Sequence, residues 1–172
     1  MPSEINAAHA AFVERVGLMT ERDGLPRIAG RILGLLLITP GPLSIDDIAA
    51  GLGVSRASVS TDARRLVSLG KIERVGRPGD RKDYYQLAPS HHLCTMEEQL
   101  ARTSQLLALL VEARALPDLH PVAAARIDGS MRFFDEMATV LTAALERWRA
   151  TPGRAAPTAG PPVVAELAGA AR

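Results

Sequence analysis

Apolar residues return at three- and four-residue steps through most of this chain, and the steps break at a few points rich in glycine and proline. Ile5, Ala8, Phe12, Val16 and Met19 make the first stripe. It predicts an amphipathic helix ending near Gly24, where "DGLP" joins a C-capping glycine to a proline. Pro26 suits the first turn of a second helix through "RIAGRILGLLLI", closed by "TPGP". That segment is apolar on most sides and is expected at the centre of the fold. Within it Gly30 and Gly34 lie four residues apart and leave a smooth face. Each costs about 1 kcal/mol relative to alanine in a helix, so close packing against another helix is their expected role.

The next stretch reads "LSIDDIAAGLGVSRASVSTDARRLVSLG", from Leu43 to Gly70. Ser44 is a good N-cap, Asp46 and Asp47 fall in the first turn against the positive end of the helix dipole, and Ser44 with Asp47 fits a capping box. The short helix ends at Leu52, and Gly53 supplies a turn. Ser55 caps a longer helix that runs to about Leu69, with Val59, Ala63 and Leu66 inward and Gly70 at its end. Ala49, Gly53 and Val59 occupy the three spacings of a helix-turn-helix: a small residue where the helices touch, a glycine at the bend, an apolar lock on the second helix. Ile48, Leu52 and Val54 fill the core positions beside them. "KIERV" and "YYQL" then read as short strands joined by the turn "GRPGDRKD", which makes the unit a winged helix.

After the wing, Leu93, Met96, Leu100, Thr103, Leu107, Leu110 and Arg114 keep alternating three- and four-residue steps, like a coiled-coil seam with polar interruptions. "LPDLHP" breaks that helix. A last one, from about Val122 to Arg149, carries Ile127, Met131, Phe134, Ala138, Leu141, Leu145 and Trp148 on one face. A hairpin within the chain could absorb both stripes. With the first helix there are three, more than a small winged helix covers, which favours a homodimer built on Phe12, Leu100, Leu107, Phe134 and Leu141. The expected fold is therefore mainly α with a small β-hairpin wing, a winged helix-turn-helix domain plus a helical dimerisation region. Residues 1–24 form a dimerisation helix, 25–89 the winged helix-turn-helix, 90–150 the helical dimerisation region, and the Pro-, Ala- and Gly-rich 151–172 a disordered tail.

Composition narrows the compartment and the chemistry. In 172 residues, 47% are hydrophobic but only 3% aromatic, so alanine and leucine carry the packing, which favours helices over a large sheet. The N-terminus lacks the basic start and apolar run of a signal peptide, and the longest apolar stretch is too short and glycine-broken to span a bilayer. Cys94 is the sole cysteine, which rules out an intramolecular disulfide and suits a reducing, cytoplasmic setting. Net charge is +1 overall, yet residues 55–87 hold eight Arg or Lys against four acids, a local +4. Such a block on a near-neutral chain suits phosphate binding, although a solvated face of mixed charge would look similar on charge alone.

The charged block coincides with the second helix of the turn motif and with the wing. Opposite its inner face, that helix presents Ser55, Arg56, Ser58, Ser60, Thr61, Arg64 and Arg65. Short hydroxyls and arginines there can enter a major groove and donate to phosphates and base edges; capping and solvation are the plainer alternative and hold for Ser55 in either case. Arg77, Arg81 and Lys82 on the wing can reach a narrow minor groove, with Asp80 expected to orient Arg81. Double-stranded DNA is thus the expected partner, and a winged helix used for protein–protein contact is the alternative. That alternative usually wants aromatic anchors, which are scarce here.

Other chemistry is thin. His91, His92 and Cys94 in "HHLC" lack the CxxC or HxxxH company of a metal site, so no metal and no cofactor is expected. A redox role for Cys94 is equally unsupported, since a lone cysteine on an apolar stripe is usually packed and inert. There is no phosphate loop after a strand and no Ser, His and acid cluster, which argues against an enzyme.

"GLPRIAGRILGLLLI", the Leu43–Gly70 stretch with "KIERV", and "GRPGDRKDYYQL", in that order, resemble the MarR-type winged-helix transcriptional regulators. The "GLPR…GR…G" segment resembles the GbsR-like branch. The resemblance covers roughly residues 10–115 and implies a homodimer on a pseudo-palindromic operator, usually repressing, and often with a small-molecule effector. Choline-type effectors of that branch need an aromatic cage, and the few aromatics here sit on the wing or at core positions, so choline is not expected. Asp62 departs from the pattern, since a basic or amide residue is the easier neighbour of phosphate; it either rejects a base or pairs with Arg65.

Overall fold

The computed structural model describes residues 7–150. Ile5 of the first stripe and the 151–172 tail lie outside the described residues. The chain divides between His91 and His92 into two compact units.

The first unit begins with α1 (Ala7–Arg22) and α2 (Arg27–Ile38). α1 stops where Gly24 takes a left-handed φ of 87° and the Leu25 N–H closes on the Thr20 carbonyl at 3.2 Å. Pro26 becomes the N-cap of α2 rather than part of its first turn. The smooth face of α2 is used by α1: a Cβ added at Gly30 would lie 2.6 Å from Thr20 Cβ and 2.8 Å from Gly17 Cα, and one at Gly34 would lie 3.2 Å from Val13 Cα. That closeness also rotates α1 from its expected stripe. Val13, Gly17 and Thr20 are the buried positions, Phe12 and Val16 are half-buried, and Ala8 and Met19 face solvent. Small residues win the contact because bulky ones would hold the helices apart.

Next come β1 (Leu43–Ser44), α3 (Ile45–Leu52), α4 (Arg56–Ser68), β2 (Ile72–Val75) and β3 (Tyr84–Leu87). Ile32 of α2, Ile48 of α3, and Val59, Ala63 and Leu66 of α4 are wholly buried, and Ile72 and Tyr85 of the sheet close the cluster. Phe12 packs partly against the same core. The sheet has the order β1-β3-β2 and is antiparallel throughout, with Ile72 opposite Leu87, Val75 opposite Tyr84 and Leu43 opposite Tyr85. The wing is thus the expected hairpin plus one strand that the pattern does not foretell. β1 has two residues, too few to show a period.

The second unit pairs α5 (His91–Arg114) with α6 (Pro121–Arg149), which runs back antiparallel to it. Arg114 Nε binds Asp128 Oδ1 at 2.8 Å near the turn, the Thr103 hydroxyl meets Met137 Sδ at 3.8 Å midway, and Arg149 Nη2 binds Glu97 Oε1 at 2.5 Å at the open end. His120 caps α6 by accepting the Val122 N–H on Nδ1, and Pro121 fills the first turn. The expected stripes line this hairpin: Leu100, Leu107, Phe134 and Leu141 are half-buried along it. Among the described residues only Thr103 of α5 and Leu145 of α6 are fully buried.

Candidate nucleic-acid interface

The first unit aims α4 by fixing both ends of the turn before it. Ser44 and Asp47 form the capping box of α3: the Ser44 hydroxyl and N–H donate to Asp47 Oδ2 at 2.7 and 3.0 Å, and the Asp47 N–H donates to Ser44 Oγ at 3.2 Å. The Ser44 hydroxyl bond, aided by the charges of Lys82 and Arg77, holds the Asp47 carboxyl below its ordinary range against the desolvation of partial burial. Gly53 takes φ 64°, and the Val54 N–H reaches back to the Ala49 carbonyl at 3.1 Å. Ser55 then caps α4, its Oγ accepting the Ser58 N–H at 3.2 Å and pairing with Ser58 Oγ at 2.9 Å.

A residue on α2, not foreseen from the sequence, braces the same turn. Arg31 Nη2 donates to the Leu52 carbonyl at 2.7 Å, at the negative end of α3. Glu14 of α1 holds that guanidinium through Oε2, 3.2 Å from Arg31 Nε, and grips Arg27 with its other oxygen. Gly17 leaves the room, since a Cβ there would lie 2.7 Å from Arg31 Cγ.

On α4 itself Ser55, Arg56, Thr61, Arg64 and Arg65 are exposed, and Ser58 and Ser60 are half-buried. Arg64 lies along the helix with Nε 3.2 Å from the Ser60 carbonyl. Asp62 turns inward: it is 6% exposed and 3.8 Å from Arg65 Nε, so it pairs with Arg65 and does not face a base. Burial raises its carboxyl above the ordinary range, with the Arg65 charge opposing.

The wing differs from expectation in two places. Arg77 spends its guanidinium inside the protein, 4.0 Å above the Tyr84 ring and donating to the Pro42 carbonyl at 2.9 Å. Asp80 does not orient Arg81. Its carboxylate accepts the Tyr84 hydroxyl at 2.7 Å and the Lys82 N–H at 3.0 Å, a ring of bonds that braces the loop. These bonds, the Tyr84 hydroxyl first, hold Asp80 below its ordinary range and push Tyr84 up. The Arg81 guanidinium extends into solvent and meets no partner among the described residues. Lys71, part of the basic block, is buried and stands away from this face.

Asp46 joins helix and wing, and the sequence reading gave it only a dipole role. Its Oδ1 takes Arg56 Nε at 2.8 Å, and its Oδ2 faces Lys82 Nζ at 3.8 Å. The start of α4 and the wing therefore converge on one surface. Among the described residues no three His, Cys, Asp or Glu side chains gather as metal ligands; His91 Nδ1 contacts the Ala88 carbonyl at 2.7 Å, His92 lies against Trp148, and Cys94 is half-buried. No helix among them is long and apolar enough to cross a membrane.

A helix-turn-helix whose second helix opens outward beside a braced antiparallel wing is the reading head of a DNA-binding winged-helix regulator. Residues 23–83 match the MarR family. The HTH-type transcriptional regulator MmpR5 of Mycobacterium tuberculosis is 35% identical over 139 residues, which span 80% of this chain and 84% of that protein. This chain belongs to the MarR family of transcriptional regulators. The HTH-type transcriptional repressor OpcR of Bacillus subtilis is 24% identical over 88 residues, about half of each chain. A solved transcriptional regulator, 34% identical, superposes with a TM-score of 0.65 and covers 84% of this chain and 99% of its own.

Proposed function

We propose that this regulator is a homodimeric repressor that grips a pseudo-palindromic operator, one reading head to each half-site. The α4 residues Arg56, Ser58, Ser60, Thr61, Arg64 and Arg65 read the major groove, with Ser55 setting the helix start. Arg81 reaches the minor groove, Lys82 meets phosphate, and Arg77 holds the wing in shape. The observation that carries this reading is the convergence of Arg56 from α4 and Lys82 from the wing on one carboxylate, with Arg81 extended beside them. Repression is supported by the repressor named among its relatives. A small-molecule effector enters through the family alone, and placement in the GbsR-like branch rests on "GLPR…GR…G", whose arginines and glycines lock α1 to α2 here.

The test is selection of bound duplexes from random sequence, followed by anisotropy titration against salt. Enrichment of two inverted half-sites, about one turn (34–36 Å) apart, is the expected result, with affinity falling steeply as salt rises. Arg81→Ala should flatten the salt dependence by about one unit of slope per reading head. Recovery of no preferred sequence would overturn operator reading, and an Arg81→Ala titration equal to wild type would remove the wing from it.

A further inference from the structure

Asp46 has more cations than its place in the fold requires. It lies in the first turn of α3, where one negative charge already suits the helix dipole, and the capping box beside it is completed by Asp47. Yet it takes Arg56 on one oxygen and faces Lys82 with the other, drawing on two elements at once. The three side chains are 42%, 73% and 62% exposed, so these pairs add little to stability. Their weight falls on what else the two cations could bind.

We propose that Asp46 is a built-in counter-ion that sets sequence discrimination, occupying Arg56 and Lys82 until operator contacts outcompete it. The inference rests on the DNA-reading function above. On non-operator DNA the two cations must leave Asp46 for phosphates, and the carboxylate stays close to the backbone and repels it. The exchange gains little, and indiscriminate binding is held down. On the operator, base-edge contacts from α4 add to the balance. There the short bond to Asp46 keeps the Arg56 guanidinium aimed while its remaining N–H groups engage the groove. Asp46 therefore costs non-operator binding more than operator binding.

Asp46→Asn in the full chain tests this, titrated against a selected operator and a scrambled duplex of equal length. Each freed cation adds about 0.9 to the salt slope, or roughly an eightfold gain per reading head at 0.1 M salt. The expected result is a gain of that size on the scrambled duplex, a smaller gain on the operator, and a specificity ratio lowered at least threefold. A gain of binding cannot arise from misfolding. In an Arg56→Gln, Lys82→Gln background the same substitution should have no further effect. Equal gains on both duplexes, no gain, or a gain that persists in the double-glutamine background would each overturn the proposal. If wild type fails to prefer any duplex, the operator-reading function itself falls, a result separable from all three.

Discussion

Asp62 sits on the inward flank of α4, among the residues that hold the reading helix to the core, with only Arg65 beside it. Burial makes its folded form bind a proton more readily than the unfolded chain does. The carboxylate thus costs stability at neutral pH, and the cost vanishes once pH falls below the unfolded value of about 3.9. Asp62→Asn should raise the melting temperature at pH 7.5 and have no such effect at pH 3.5; an equal shift at both would show that the charge is not the cause. Single residues also mark the limit of what a sequence discloses. The Ser44–Asp47 box was legible because its partners are three positions apart and the helix brings them together. Arg31 to Leu52, Arg77 to Pro42 and Asp46 to Arg56 or Lys82 were not, because their separations close only when separate elements pack. Asp80 misled for the same reason: Arg81 is its neighbour in the chain, but the hairpin delivers the Tyr84 hydroxyl to it.

Between elements, the α1–α2 contact is the tightest joint in the reading unit, and it is made of absences of side chain. Gly30→Ala would press a methyl to within 2.8 Å of the α1 backbone at Gly17, so one helix must shift. The expected cost is about 1–3 kcal/mol, enough to outweigh the roughly 1 kcal/mol that alanine brings to a helix. Gly129→Ala in α6 makes the contrast. Its nearest neighbour is the flexible end of Arg132 at 3.9 Å, so a gain of about 0.5–1 kcal/mol is expected. Urea denaturation of both variants checks the pair, and a stabilised Gly30→Ala would mean the joint is looser than drawn. The glycines announced that some helix comes close, and Gly24, Gly53 and Gly70 marked where helices stop. Which face of α1 would arrive was not legible, because the apolar stripe outlined large residues while the joint selects small ones.

At the scale of the molecule, the second unit is too thin to account for its own order. Two long helices bury two residues between them and leave Leu109, Phe133 and Val140 about 60% exposed, which exceeds what a monomer ordinarily presents to water. A second copy covering that face is the arrangement proposed above. Leu109→Asp should shift sedimentation at micromolar concentration towards the monomer and lower operator affinity in step, while the reading unit keeps its melting transition. Leu107→Asp would disturb the hairpin as well, since Leu107 is half-buried within it. A Leu109→Asp chain that remains dimeric would place the interface elsewhere.

That thin hairpin also bears on inheritance. On the proposed dimer, a chain whose wing has lost Arg81 still carries an intact hairpin and still finds a mate. Expressed beside the normal chain in equal amount, it would draw half of all assemblies into one-handed pairs and leave only a quarter fully armed. A lesion in the reading head would therefore act dominantly over a normal copy. One that destroys the hairpin would be silent beside it.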